Sequence, residues 1–346
     1  GAPRRAAGLV APPKMAAPRT ASYCIVHPGS EFSGLGGLSF HQGCVELGAA
    51  QKPRKLGGGE PTAGPPGVEA RCDFDRVFGP GTSQEAIFDA VAREAVLDAA
   101  RRAASAAFVA FGATGGGKTY AMTGGVQRFA DRGLIPRSVS LLFEAIASSA
   151  DRADTEVAVA FYEVYRDELV DLLSGQSRRV ATAEANVDAC GLWHPAATES
   201  DAYHFLFLGD GNRHFEQLSA NEETSRGHVF YALRVRRCGA PGEARLAFVD
   251  LATGVPERDT AVSCIPRSLR ALRGVLEDLR ARRAPGFQAS LVTQLLQPWL
   301  QPSVPARVAL LSPLKYCAPR HEEVLDWLDF AALARAALGG PSPAAG

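Results

Sequence analysis

Lysine is scarce in this chain of 346 residues, which holds only Lys14, Lys52, Lys55, Lys118 and Lys315. Arginine supplies the remaining positive charge, and Lys+Arg balances Asp+Glu at 37 each, for a formal net charge of zero. No global attraction to nucleic acid or to an anionic membrane surface is encoded, so a charged partner must be met by a local patch. No apolar run approaches the roughly 20 residues that cross a bilayer. The seven cysteines are scattered without a C-x-x-C pair. That excludes the usual spacing of zinc sites and disulfide frameworks, and the thiols read as small buried groups in a reducing compartment. No heptads and no internal repeat occur, which excludes a coiled coil and makes the chain, as given, an expected monomer.

What remains is an α/β pattern. Residues 1–20 read as a disordered extension, 47–70 as a flexible insertion and 339–346 as a disordered end, by their Pro and Gly content. Between them, 21–338 reads as one domain. Ser22 to Val26 suggests a strand. Thr82-Ser83-Gln84-Glu85 predicts a capping box, with Ile87, Phe88, Val91 and Val96 at helical spacing on a helix running to Arg102. The segments 106–111, 156–165, 229–235 and 245–249 predict strands. Val308 opens a strand that Ser312-Pro313 should stop. Leu269, Leu272, Val275, Leu276 and Leu279 mark an amphipathic helix, and 322–338 a last one. Such mixing predicts a layered α/β domain.

One of the five lysines falls inside a glycine loop. Gly112-Ala113-Thr114-Gly115-Gly116-Gly117-Lys118-Thr119 fits G-x-x-x-x-G-K-[ST], between the predicted strand 106–111 and a helix from 119 onward. Glycines let successive backbone N–H groups curl around phosphate oxygens, Lys118 reaches the β- and γ-phosphates, and the Thr119 hydroxyl ligates Mg²⁺. A glycine-rich turn in a chain with 35 glycines does not require Lys-Thr at that place.

Three further stretches flank this loop: Phe74-Asp75-Arg76-Val77-Phe78, Asn221-Glu222-Glu223-Thr224-Ser225-Arg226-Gly227-His228, and Phe248-Val249-Asp250-Leu251-Ala252. Their order resembles the kinesin motor domain, whose hallmarks are F-D-x-V-F, G-Q-T-G-S-G-K-T, N-x-x-S-S-R-S-H and D-L-A-G-S-E. The segments 132–137, 163–165 and 171–173 also resemble kinesins. Residues 207–213 and the Gly124-Gly125 pair resemble the ciliary and flagellar branch, the ninth kinesin family.

The resemblance implies a P-loop NTPase fold, a central mixed β-sheet with helices on both faces. It implies ATP and Mg²⁺ as ligands, microtubules as partner, and a cytoplasmic, cytoskeletal or ciliary setting. It assigns the nucleotide to residues 112–119 and Tyr120, with Pro28 beside adenine and Phe88 either stacked on adenine or an ordinary core residue. It assigns Thr224, Ser225 and Arg226 to a first switch and Asp250 to a second. The metal would be met by Thr119, Ser225 and, through water, Asp250. Arg267, Arg270 and Arg273, at three-residue spacing, suggest either a footprint for the acidic microtubule surface or an ordinary solvated face.

The pattern also departs from the family. After Asp250-Leu251-Ala252 stand Thr253, Gly254 and Val255 where kinesins carry Gly, Ser and Glu. A one-residue shift would let Gly254 serve as the hinge, and Glu257 folding back would give Arg226 a partner. Val255 cannot accept a hydrogen bond from Arg226, which implies weakened hydrolysis. Gly227 replaces a serine, Ala113 a glutamine and Gly116 a serine, the last two read as mild changes. Ile25-Val26-His27-Pro28 lacks the two arginines of R-x-R-P. Gly286 to Thr293 stands where kinesins have Y-R-D-S-K-L-T, without its two cations. These departures leave two readings: a working motor, or a motor-derived binding module without efficient turnover.

Overall fold

The computed structural model describes residues 20–28, 30, 37–48, 68–125, 128–165, 168–174, 191–213, 215–219, 222–225, 227–238, 242–253, 264–301, 303–304, 306–317 and 321–339; for 215–219, 222–225 and 264–266 it describes the backbone alone. The first strands are β1 (Thr20–Val26), β2 (Leu38–His41), β3 (Cys44–Gly48), β4 (Val68–Asp73) and β5 (Arg76–Phe78). Helices α1 (Gln84–Val91) and α2 (Arg93–Arg102) lead into β6 (Ser105–Ala110), α3 (Lys118–Met122) and α4 (Leu134–Ala147). Then come β7 (Thr155–Tyr165), β8 (Glu168–Asp171), β9 (His194–Pro195), α5 (Glu199–Gly211), β10 (Phe215–Ser219) and β11 (Glu222–Ser225). The chain continues through β12 (His228–Arg237), β13 (Glu243–Asp250), α6 (Cys264–Arg280), α7 (Leu291–Leu300), β14 (Ala306–Leu314) and α8 (His321–Leu338).

The central sheet runs β5-β1-β14-β6-β13-β12-β7-β8, with β9 joined to β7. Its β5-to-β13 half is parallel, and β12, β7, β8 and β9 pair antiparallel. Strand β6 reads S-A-A-F-V-A without polar alternation because both its faces are covered. Ala107 and Val109 join the core beneath α6, α7 and α8. Ala106, Phe108 and Ala110 join the core beneath α1, α2, α4 and α5. Phe108 stacks on Phe248 at 4.9 Å, its partner in the β6–β13 register. The expected mixed sheet with helices on both faces is therefore present.

Local expectations shift at several points. Helix 84–102 is two helices, because Ala92 (φ −119°) breaks the run. Ser83 caps it alone, accepting from the Ala86 N–H, while the Thr82 hydroxyl donates to the Gly79 carbonyl. Within 47–70, residues 47–48 finish β3 and 68–70 begin β4, and the two strands pair antiparallel. Strand β14 does not stop at Ser312-Pro313. Its pairing with β6 ends at Leu311, so Pro313 behaves as an edge position, where a missing N–H is tolerated, and β14 continues beside β1 to Leu314.

Candidate functional site

The site lies where β6, β13 and β14 end side by side. Residues 111–117 leave β6 as a tight loop whose floor is the Pro313 carbonyl. A side chain at Gly116 would put its Cβ 2.6 Å from that oxygen. Gly115 (φ +71°) and Gly117 (φ +101°) occupy the left-handed region, which L-residues with side chains rarely enter. Gly116 is thus a requirement of close approach, and its exchange for the family's serine is not the mild change the sequence suggests. Ala113 is fully buried. The Thr114 N–H donates to Glu323 Oε1 at 2.8 Å, tying the loop to α8.

Lys118, at the start of α3, is only 8% exposed. Its ammonium donates to the carbonyls of Gly112 (2.9 Å) and Ala113 (3.0 Å) and meets the Thr253 hydroxyl at 3.4 Å. Thr119 donates through Oγ1 to Asp250 Oδ2 at 2.6 Å. Asp250 ends β13, with its carboxylate 3.5 Å from the buried Arg213 guanidinium, which also pairs with Asp210 at 3.2 Å. The Leu251 N–H donates to the Ala110 carbonyl at 3.0 Å, so 251–253 is laid along the root of the loop. An ammonium, a hydroxyl and a carboxylate are thereby brought to one end of a glycine cradle. This donor set fits a magnesium polyphosphate: ammonium for phosphate oxygens, hydroxyl and carboxylate for the metal.

The other sequence candidates divide. Tyr120 is half-exposed, and its carbonyl accepts from Gln84 Nε2 at 2.8 Å. Pro28 sits in an exposed turn after His27. His27 itself approaches the loop: a Cβ on Gly117 would lie 3.9 Å from its ring. Burial, with Lys315 nearby, holds the His27 imidazole below its ordinary pKa. Phe88 is a correction. It is 4% exposed and packed into the α1–α2 core beside Ile87 and Val91, so its ring offers no face to a purine. Thr224 and Ser225 belong to β11, whose backbone pairs with β10. Asn221, Arg226, Gly254, Val255 and Glu257 lie outside the described residues.

The arginine row is also corrected. Three-residue steps turn a helix by about 60° each, so Arg273 comes round toward the core. Its guanidinium lies 5.8 Å from the Phe330 ring, whereas Arg267 and Arg270 are exposed. Sequence reasoning missed Arg213, Glu323 and the Thr253 hydroxyl as members of the site. Glu323 is 209 residues from its partner, and no local spacing signals such a contact.

A family model described as the kinesin motor domain matches residues 64–337. Human kinesin-like protein KIFC2 is 32% identical over 209 residues, covering 52% of this chain and 25% of that protein. The kinesin heavy chain of Gibberella moniliformis is 29% identical over 277 residues, covering 74% of this chain and 30% of its own length. The chain therefore spans between a quarter and a third of these curated relatives. Among solved structures, KIF14 in complex with a microtubule and AMP-PNP aligns with a TM-score of 0.74 at 21% identity, covering 93% of this chain and 94% of that one. The Drosophila kinesin family member NOD with AMPPNP aligns at 0.67 and 22% identity, covering 93% and 100%. At those identities the structures speak for the fold. With the family model spanning most of its length, the chain belongs to the kinesin motor domain family.

Proposed function

We propose that this chain is a kinesin motor core that binds ATP with Mg²⁺ at residues 112–119 and binds microtubules. The observation that carries the reading is the convergence of buried Lys118 with the Thr119–Asp250 pair at the end of β6 and β13. The loop amides and Lys118 hold the phosphates. Thr119, Asp250 and Ser225 would hold Mg²⁺ directly or through its water, and the ion would supply charge neutralisation to the phosphates. Arg213 holds the Asp250 carboxylate in place. Thr224, Ser225 and Arg226 form the first switch, and 250–254 the second, with Gly254 as hinge. Arg267 and Arg270 face the acidic track. A motor reading places the chain on cytoskeletal microtubules, and residues 207–213 favour those of a cilium or flagellum.

A second reading, a nucleotide- and microtubule-binding module with little turnover, is favoured by Val255 in place of the family's water-positioning glutamate. A steady-state ATPase assay with and without microtubules, paired with co-sedimentation, separates the two. A motor hydrolyses ATP faster as microtubules are added. A module co-sediments without that rise. Absence of both nucleotide binding and co-sedimentation refutes each.

A further inference from the structure

Helix α8 meets the phosphate loop with one face. Glu323, Trp327 and Phe330 stand four and three residues apart, which puts them on the same side of a helix. The Phe330 and Trp327 rings pack against Phe111, the residue before Gly112, with centroids 5.1 Å and 6.1 Å away. The Glu323 carboxylate accepts from the Thr114 N–H at 2.8 Å. Three side chains of one helix therefore hold the first half of the loop.

Thr114 is a position where such a hold matters. The Gly116 N–H donates to the Ala113 carbonyl at 3.1 Å, closing a turn with Thr114 and Gly115 at its centre. Gly115 has φ +71°, the positive value that a type II turn needs at its third position. The orientation of this turn sets the direction of the backbone N–H groups that follow it toward Lys118 and Thr119. The carboxylate is in turn fixed by its helix. His321, the first residue of α8, is buried, with Nε2 2.8 Å from Glu69 Oε2 and Nδ1 3.1 Å from the Tyr316 hydroxyl. Val324, next to Glu323, is fully buried. An N–H that donates to a carboxylate makes a strong bond and is withdrawn from phosphate, so the grip falls to the amides after Thr114.

We propose that Glu323 is a positioning residue for nucleotide binding: by holding the Thr114 N–H it sets the 113–116 turn so that the later loop amides converge on the phosphates, and it makes α8 respond when they are occupied. The inference deepens the reading of 112–119 as a phosphate loop and rests on it. The acceptor oxygen does the positioning, and the negative charge strengthens the bond. A neutral side chain of equal length that keeps the acceptor should retain most of the effect. One without an acceptor should lose it.

The test is calorimetric titration with Mg·ADP of the wild type, Glu323→Gln and Glu323→Met, with far-ultraviolet circular dichroism reporting the fold. Apparent affinity falls with the fraction of the loop that is competent to bind. Loss of a bond to a charged acceptor is expected to weaken binding by Glu323→Met about tenfold, and Glu323→Gln should recover most of that loss. Glu323→Ala serves the same purpose should Met disturb folding. The second readout is spectroscopic. The chain has three tryptophans, and Trp193→Phe with Trp299→Phe leaves Trp327 as the reporter on α8. Saturating Mg·ADP is expected to change its emission, and the change should shrink when Glu323→Met is added. Wild-type affinity in Met, or Gln binding no better than Met, overturns the proposal. Emission from Trp327 that ignores nucleotide, or that changes equally with and without the Glu323 carboxylate, overturns it as well. If the wild type binds no nucleotide and Lys118→Ala is indistinguishable from it, the phosphate-loop reading itself fails.

Discussion

At the scale of single residues, Lys118 decides the site. The ammonium is buried among carbonyls and a hydroxyl, and charge-assisted bonds to phosphate are among the stronger contacts a side chain makes. Lys118→Ala is expected to weaken Mg-nucleotide binding about 10- to 100-fold while far-ultraviolet circular dichroism stays that of the native chain. Unaltered affinity for a labelled ATP analogue would remove the lysine from the site. A second residue prediction concerns packing. A Cβ on Gly209 would come within 2.1 Å of the buried Phe161 ring, so Gly209→Ala should cost about 1–3 kcal/mol by overpacking, read as a lower urea midpoint. The glycine loop was legible in the sequence because phosphate binding of this kind is local: eight consecutive residues carry it. Its supports were not legible. Glu323, Arg213 and Thr253 reach the loop or Asp250 across long separations, and only the folded sheet brings them there.

At the scale of elements, strand β12 carries a buried titratable group at its start. His228 is 1% exposed, and neither ring nitrogen has a hydrogen-bond partner among the described residues. Burial pushes its pKa down to about 4, against roughly 6.5 in the unfolded chain. As pH falls below the unfolded value, the unfolded chain takes up a proton that the folded chain refuses until near pH 4. Stability should decline through that window by on the order of 3 kcal/mol and level off beneath it. Urea titrations across this range are expected to show the decline in the wild type and a smaller one in His228→Leu. On helix α6, replacing Arg267 and Arg270 by Ala should weaken microtubule co-sedimentation and flatten its salt dependence. Arg273→Ala should instead lower stability by about 0.5–1 kcal/mol through the lost Phe330 contact. Periodicity placed the long elements and misjudged the interruptions. The break at Ala92 and the passage of β14 through Pro313 depend on what each element packs against, which a one-dimensional pattern does not carry.

At the scale of the whole molecule, one sheet supports two cores, and the candidate site sits where its parallel strands end. At that rim Thr119 of α3 meets Asp250 of β13, the Pro313 carbonyl of β14 lies beneath the loop, and Glu323 of α8 accepts from the Thr114 N–H. Binding only to the folded form should stabilise the domain by about 2.7 kcal/mol at a hundred times the dissociation constant. Thermal melting with Mg·ADP is therefore expected to rise clearly above melting without nucleotide. No rise at saturating concentration would count against nucleotide binding by the native fold.

The carbonyl of Pro313 beneath the loop has a bearing on any attempt to repair this chain toward the motifs of its relatives. Reinstating serine at 116 would drive a side chain into that fixed oxygen, and reinstating it at 227 would press on buried Glu163, whose side chain lies 2.4 Å from where the new Cβ would stand. At both positions the surrounding atoms close around the glycine, so restoring one serine at a time would damage the domain it was meant to restore.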